Sequence, residues 1–286
     1  MSTVTGFQRN AESVASHRCE VAVHRWVNKR YKYLRLTAQA DLTGSTKPGQ
    51  FYQLKCPGIN DLQPFLLRPM SVYGVGPDAG TIEFLYNVTG IGTQALSDLK
   101  VGGHMDIVGP LGNTFAFDPG YKRIMVVARG VGLATMAPLV QQAAAAGVKI
   151  IAIMSARASQ DMMQGEFLRG VDADVHCVYD SDGSSSVGAV DALVRRLLDN
   201  EQPDMVYTCG SHRVLMLLQR VLADYPQIRG EVAMEQRMAC GMGVCLSCVR
   251  LFDCKTGQSS DKKFLRVCRE GPVFSIRDVV GEVEFG

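Results

Sequence analysis

Hydrophobic and polar positions follow two different rhythms along the chain. Between residues 19 and 118, apolar and polar residues alternate in short runs at 19–27, 31–40, 51–56, 71–75, 81–88 and 104–108. A period of two sends successive side chains to opposite faces of a strand. Turn formers break the runs, Asn28-Lys29-Arg30 after the first and Lys47-Pro48-Gly49-Gln50 before the third. Six such strands with little helical periodicity predict a small antiparallel barrel. From residue 121 the rhythm changes. Apolar strand-like runs at 123–128, 148–154, 175–179, 205–208 and 232–234 alternate with helical stretches at 133–146, 162–169, 190–198 and 214–223. Gly147 suits the position just past a helix. This alternation predicts a five-stranded parallel sheet covered on both faces, so the fold class is β followed by α/β. The turn Phe117-Asp118-Pro119-Gly120 marks the change. The expected division is a flexible tail at 1–16, a barrel at 17–119, an α/β domain at 120–234 and a small C-terminal domain at 235–286.

Composition narrows the partners. The 286 residues are 47% hydrophobic, enough for more than one core, and the net charge is +2 with no block of Lys or Arg. Nucleic acid is therefore not expected as a partner. No apolar run approaches the ~20 residues that span a bilayer, and residues 1–16 lack the apolar core of a secretory signal. A cytoplasmic protein without direct membrane insertion is expected. Nine cysteines, five of them after residue 239, read as a metal site in a reducing compartment rather than a disulfide framework.

The densest chemistry lies in those late cysteines. Cys240-Gly241-Met242-Gly243-Val244-Cys245-Leu246-Ser247-Cys248 has the spacing C-x4-C-x2-C, and Cys268 follows after 19 residues. Four thiolates so spaced suit a [2Fe–2S] cluster. Gly241 and Gly243 let backbone amides approach bridging sulfides. A zinc site usually shows two close cysteine or histidine pairs, and here only Cys245 and Cys248 form one. Cys254 competes with Cys268 as fourth ligand; the short reach from Cys248 favours Cys268.

Other motifs are weaker singly. In Leu67-Arg68-Pro69-Met70-Ser71-Val72-Tyr73, an arginine fixed by a following proline suits a pyrophosphate. Ser71 can hydrogen-bond a ring heteroatom, and Tyr73 offers a flat face. Gly90-Ile91-Gly92-Thr93 leads into a probable helix at 94–99, a natural anion site. Gly130-Val131-Gly132 follows a strand and opens a helix, where parallel sheets bind phosphate, but Thr135 replaces the third glycine. The second strand ends Ser155-Ala156-Arg157, without the acid that binds ribose in a plain dinucleotide fold. Cys209-Gly210 ends the fourth strand on the ligand-binding edge. Each motif also has an ordinary reading as a turn, a cap or a surface charge.

Arg68-Pro69-x-Ser71-x-Tyr73, Gly90-x-Gly92-Thr93, the glycine turn followed by Ala137-Pro138-Leu139, Cys209-Gly210 and the cysteine cluster with Gly271-Pro272-Val273-Phe274 occur in this order. In this the chain resembles the ferredoxin–NADP⁺ reductase superfamily, and within it the electron-transfer subunits of two-subunit, NAD-dependent dihydroorotate dehydrogenases, over about residues 19–280. The resemblance implies FAD, a [2Fe–2S] cluster and NAD(P)H as cofactors. It also implies a catalytic flavoprotein subunit, dihydroorotate dehydrogenase-like, as partner in a hetero-oligomer of pyrimidine biosynthesis. By the same resemblance Arg68 and Pro69 would hold the FAD pyrophosphate, and Ser71 and Tyr73 would contact the flavin. Gly90, Gly92 and Thr93 would hold the diphosphate, and Gly130, Gly132 and Gly210 would line the pyridine-nucleotide site. Cys209 would sit at the nicotinamide, and Cys240, Cys245, Cys248 and Cys268 would hold the irons. The chain departs from the pattern at Arg129, where a further glycine is usual, at the inserted pair Thr135-Met136, and at Ser211, where proline is frequent.

The expected function is electron transfer between a nicotinamide cofactor and a partner flavoprotein. Two alternatives remain at this point: a free-standing reductase serving a mobile carrier, and a non-catalytic zinc or redox-sensing module. Sequence leaves open NAD against NADP and the direction of electron flow.

Overall fold

The computed structural model describes residues 14–58, 63–76, 80–168, 170–254 and 260–280. Residues 1–13 of the expected tail, and Arg169 at the end of the expected helix 162–169, lie outside that set. The chain opens on the hairpin β1 (Ala15–Trp26) and β2 (Tyr31–Thr37). Asn28 turns it: its Oδ1 accepts from the amides of Arg30 (2.9 Å) and Tyr31 (3.0 Å), the local bonding Asn favours in turns. The second strand stops at Thr37, and a short helix α1 (Ala40–Ser45) buries Leu42 instead of extending it. Then follow β3 (Phe51–Leu54), β4 (Arg68–Ser71), β5 (Gly74–Val75), β6 (Thr81–Asn87), α2 (Ile91–Ser97) and β7 (His104–Leu111).

These seven strands form one antiparallel sheet in the order β4-β3-β7-β1-β2-β6-β5. β4 and β5 are consecutive yet lie at opposite edges. The two residues between them make the crossing: the Val72 amide donates to Gln50 O (3.1 Å) and the Tyr73 amide to Glu83 O (2.8 Å). The run expected as one strand at 71–75 is therefore two strands that bring the sheet's edges together into a barrel. Val21, Leu34, Leu36, Leu54, Phe84 and Ile107 fill its core.

The second sheet follows the strand–helix alternation: β8 (Arg123–Arg129), α3 (Gly132–Ala145), β9 (Lys149–Ala156), α4 (Gln164–Phe167), β10 (Asp174–Tyr179), α5 (Val187–Glu201), β11 (Met205–Cys209), α6 (His212–Ala223) and β12 (Arg229–Ala233). The five strands are parallel, in the order β10-β9-β8-β11-β12. The helix expected at 162–169 is a single turn, because Gly165 weakens it and Gly170, at φ +66°, ends the segment. Thr135 and Met136 sit inside α3 without breaking it.

After β12 come the hairpin β13 (Val249–Asp253) and β14 (Lys262–Arg266), then β15 (Val273–Ser275). β15 joins the large sheet antiparallel to β12, with Val232 opposite Phe274. The sheet thus has six strands, the last lent by the cysteine-bearing segment. Apolar packing follows the same joints. Phe51 and Leu111 of the barrel share a core with Cys248, Phe252, Val267 and Phe274, while Tyr33, Tyr73 and Leu85 share one with α3.

Candidate redox site at the junction of barrel, sheet and cysteine loop

A groove runs between the barrel and the segment after β12. Its wider part, about 780 Å³, is lined by residues 63–69, Ile91 and residues 235–238. It continues past Pro69, Glu235, Gln236 and Met238 into a chamber of about 270 Å³ walled by Phe51, Met70, Ser71, Tyr86, Thr135 and Met234. Arg68 stands on the wide part. Its Nη1 donates to Leu66 O (2.5 Å), and its guanidinium lies over Gly92, where a Cβ would sit 2.5 Å from the arginine Cζ. Only glycine leaves the fork that room. Thr93 Oγ1 accepts from the amides of Thr89 (2.9 Å) and Gly90 (3.1 Å), so this hydroxyl builds the turn that presents Gly92. A cationic fork on a wide mouth, leading to a flat apolar chamber, suits an anionic tail carrying an aromatic ring system.

The structure puts Tyr73 elsewhere than the resemblance implied. The chain turns at Val72, and the Tyr73 ring packs edge-on against Tyr33 at 6.0 Å, only 1% exposed. Its hydroxyl donates to Glu166 O on α4, so Tyr73 ties the barrel to the second sheet and does not line the groove.

At the carboxyl edge of the parallel sheet the glycine turns meet. A Cβ on Gly132 would lie 2.5 Å from Cys209 O, and Gly130 and Gly210 hold φ of +56° and +90°. A chamber of about 180 Å³ there is lined by Arg30, Tyr31, Arg129, Gly130, Arg157 and Gly210, among others. Arg129 does not fold over the glycines. Its guanidinium turns along the sheet edge to Asp180, at 3.1 and 2.5 Å, and to Ser155 Oγ at 2.7 Å. Hydrogen bonds from Arg129 and then Ser185 hold the Asp180 carboxyl down at about 2. Asp180 thus places an ionised carboxyl just past the end of β10, one strand over from β9. Cys209 is 2% exposed; burial pushes its thiol well up, so it is a neutral SH beside Thr135. Glu235 stands on the wall of both parts of the groove.

The cysteine loop follows directly on Met238, which lines the groove. Among the described residues no three His, Cys, Asp or Glu side chains converge on a point that would hold a single metal ion. The sulfurs are grouped in twos instead. The amides of Met242 (3.4 Å), Val244 (3.4 Å) and Cys245 (3.5 Å) all donate to Cys240 Sγ, and the Cys240 and Cys245 side chains hydrogen-bond. Cys248 and Cys268 form the other couple: their side chains hydrogen-bond and the Cys268 amide donates to Cys248 Sγ at 3.4 Å. Hydrogen bonds, first from Ser247, lower the Cys245 thiol to about 6; the bond to Cys268 first of all lowers Cys248 to about 6. Two couples of sulfurs, with amides aimed at one of them, match the needs of two irons bridged by sulfide, each taking two thiolates. Cys254 stands apart at the end of β13, its amide bonded to Asp261 O. Arg266 links the two couples by donating to Gly243 O (3.1 Å) while pairing with Glu270.

Residues 235–280 match the family model described as the iron–sulfur cluster binding domain of dihydroorotate dehydrogenase B. Over 243 residues the chain is 34% identical to a protein of Desulforamulus reducens named dihydroorotate dehydrogenase B (NAD(+)), electron transfer subunit, covering 85% of this chain and 90% of that one. This chain belongs to the family of dihydroorotate dehydrogenase B electron-transfer subunits. A Listeria monocytogenes member of the same name is 31% identical over 252 residues, covering 87% of this chain and 93% of its own. Among solved structures, one titled for the NADH-dependent reduced ferredoxin-NADP oxidoreductase aligns with a TM-score of 0.75 at 23% identity, over 92% of this chain and 90% of that chain. The ferredoxin reductase in carbazole 1,9a-dioxygenase aligns at 0.60 and 19% identity, over 77% of this chain and 70% of that one. Both likenesses speak to the fold. Glu235, which lines both parts of the groove, is a residue that the sequence motifs missed.

Proposed function

We propose that this chain is the electron-transfer subunit of a dihydroorotate dehydrogenase B type oxidoreductase, passing electrons between a nicotinamide cofactor and a partner flavoprotein. The observation that carries the reading is the grouping of Cys240 with Cys245 and Cys248 with Cys268 at the end of a groove headed by Arg68. When bound, FAD accepts a hydride and a [2Fe–2S] cluster accepts electrons singly, so together they convert two-electron into one-electron traffic. The chain's own residues bind and orient. Arg68, followed by Pro69, grips pyrophosphate oxygens above Gly92, while Gly90 and Thr93 shape that turn. Ser71 faces the ring chamber. Gly130, Gly132 and Gly210 let NAD(P)H approach the sheet edge, where Cys209 packs as a small neutral wall.

The partner's docking face is the rim of the cysteine loop. Met242, Val244 and Leu246 are 45%, 79% and 59% exposed beside Cys245, an apolar rim that favours a subunit over a free-standing reductase. No helix among the described residues is long and apolar enough to cross a membrane. The cysteines free in the structure fit a cytoplasmic setting.

Protein purified without oxygen is expected to be red-brown, with one flavin, two irons and two sulfides per chain. NADH should bleach it, and a second flavoprotein should co-purify. A colourless, iron-free preparation, or bound flavin that neither NADH nor NADPH reduces, defeats the reading.

A further inference from the structure

One buried polar group lies between the flavin groove and the cysteine loop and belongs to none of the motifs. Gln53, on β3, is fully buried. Its Nε2 donates to Ala239 O at 3.4 Å, across 186 residues of sequence, and its Oε1 has no partner among the described residues. Gly241 is shaped around this amide: at φ +70°, a Cβ there would lie 2.5 Å from Gln53 Nε2. Gln53 pairs in register with Pro69 on β4, and Phe51 lies on the same face two residues back. Both Pro69 and Phe51 line the ring chamber. On the other side, Ala239 immediately precedes Cys240, whose sulfur takes three backbone amides. A leucine or methionine would fill this dry position without leaving an acceptor unpaired, and an unpaired buried amide oxygen costs free energy. The amide is therefore explained by what it holds.

We propose that Gln53 is the positioning residue that fixes the first cluster thiolate, Cys240, relative to the flavin strand β4. By tethering Ala239 O, the amide sets where the loop starts. The amides of Met242, Val244 and Cys245 then fall on the Cys240 sulfur. Loosening the tether shifts both that hydrogen-bond set, which tunes the cluster's potential, and the approach of the cluster to the flavin. The inference rests on the flavin and cluster reading above, and its test separates the two.

The test compares wild-type holoenzyme with Q53L, each first assayed for iron, sulfide and flavin. Q53L should keep its irons and flavin and its rate of flavin reduction by NADH. The electron paramagnetic resonance signal of its reduced cluster should shift in g-values, its midpoint potential should move, and cluster reduction through the flavin should slow about tenfold. Fully loaded Q53L with a wild-type signal, potential and cluster-reduction rate overturns the proposal. Wild-type protein without iron or flavin overturns the underlying reading instead. Should Q53L not fold, Q53N decides: it keeps the buried amide but is one methylene too short for Ala239, so the same shifts are expected, and a wild-type signature overturns the tether.

Discussion

Asp180 and Arg129 are expected to decide which nucleotide the sheet edge prefers. A carboxylate held near 2 by Arg129 and Ser185 is ionised across any assay range. It is expected to accept from ribose hydroxyls and to repel a phosphate placed on the same ribose. Arg129 is committed to that carboxylate and to Ser155, so the arginine that departs from the family's glycine is a support for the acid. NADH should therefore be favoured over NADPH. D180N should raise KM for NADH by about tenfold, the scale of a hydrogen bond to a charged group in a half-open site, narrow the NADH preference and change kcat little. Steady-state rates with both nucleotides, using an artificial acceptor, check this; an unchanged preference would remove Asp180 from the site.

At the level of elements, what was legible in sequence is what is local. The C-x4-C-x2-C spacing announced the cluster loop, and the strand–helix alternation announced β8 to β12, because both signals live within a few residues. What was not legible depends on distant partners. The run at 71–75 read as one strand because nothing nearby tells that Val72 bonds to Gln50 while Tyr73 bonds to Glu83. Tyr73 read as a flavin platform for the same reason. Gln53 carried no local signal, since its partner, Ala239, lies beside the cysteine loop. The segment joining β7 to β8 is a further case. Asn113 Nδ2 donates to Glu270 O (3.0 Å) and Val273 O (2.9 Å), and Asn113 Oδ1 accepts from the Val273 amide (2.9 Å). One side chain thus fixes the stretch that follows Cys268 and leads into β15. N113A should lower stability by about 2–4 kcal/mol, since three bonds vanish and backbone groups are left unpaired. Its denaturant midpoint should fall, and iron should be lost earlier in the titration than flavin. Simultaneous loss would show that β15 and the cysteine stretch are not the weak joint.

Across the whole molecule, barrel, sheet and cysteine segment share cores, so their mutual placement is part of the fold. The crossing from barrel to sheet is polar as well. Glu231 on β12 accepts from the Ala116 amide (2.9 Å), and Tyr207 on β11 donates to Ala116 O (2.6 Å) while its ring meets Phe115 edge-on at 5.5 Å. Burial pushes the Glu231 carboxyl from 4.5 up to about 7, against the pull of the Ala116 amide and Arg229. An acid whose pKa is higher folded than unfolded stabilises the fold while it is protonated. That contribution is complete below pH 4.5 and fades as pH climbs through 7. E231Q keeps an acceptor for Ala116 but cannot ionise. The melting temperature of the wild type, taken relative to E231Q, should therefore fall by about 3–6 °C between pH 5 and pH 8, given a chain of this size. The carboxylates that arginines hold low, Asp180 and Asp191, act below that window and with the opposite sign, so they cancel in the difference. A difference that stays flat from pH 5 to 8 would mean that Glu231 is ionised throughout and that the crossing is held by Tyr207 and packing alone.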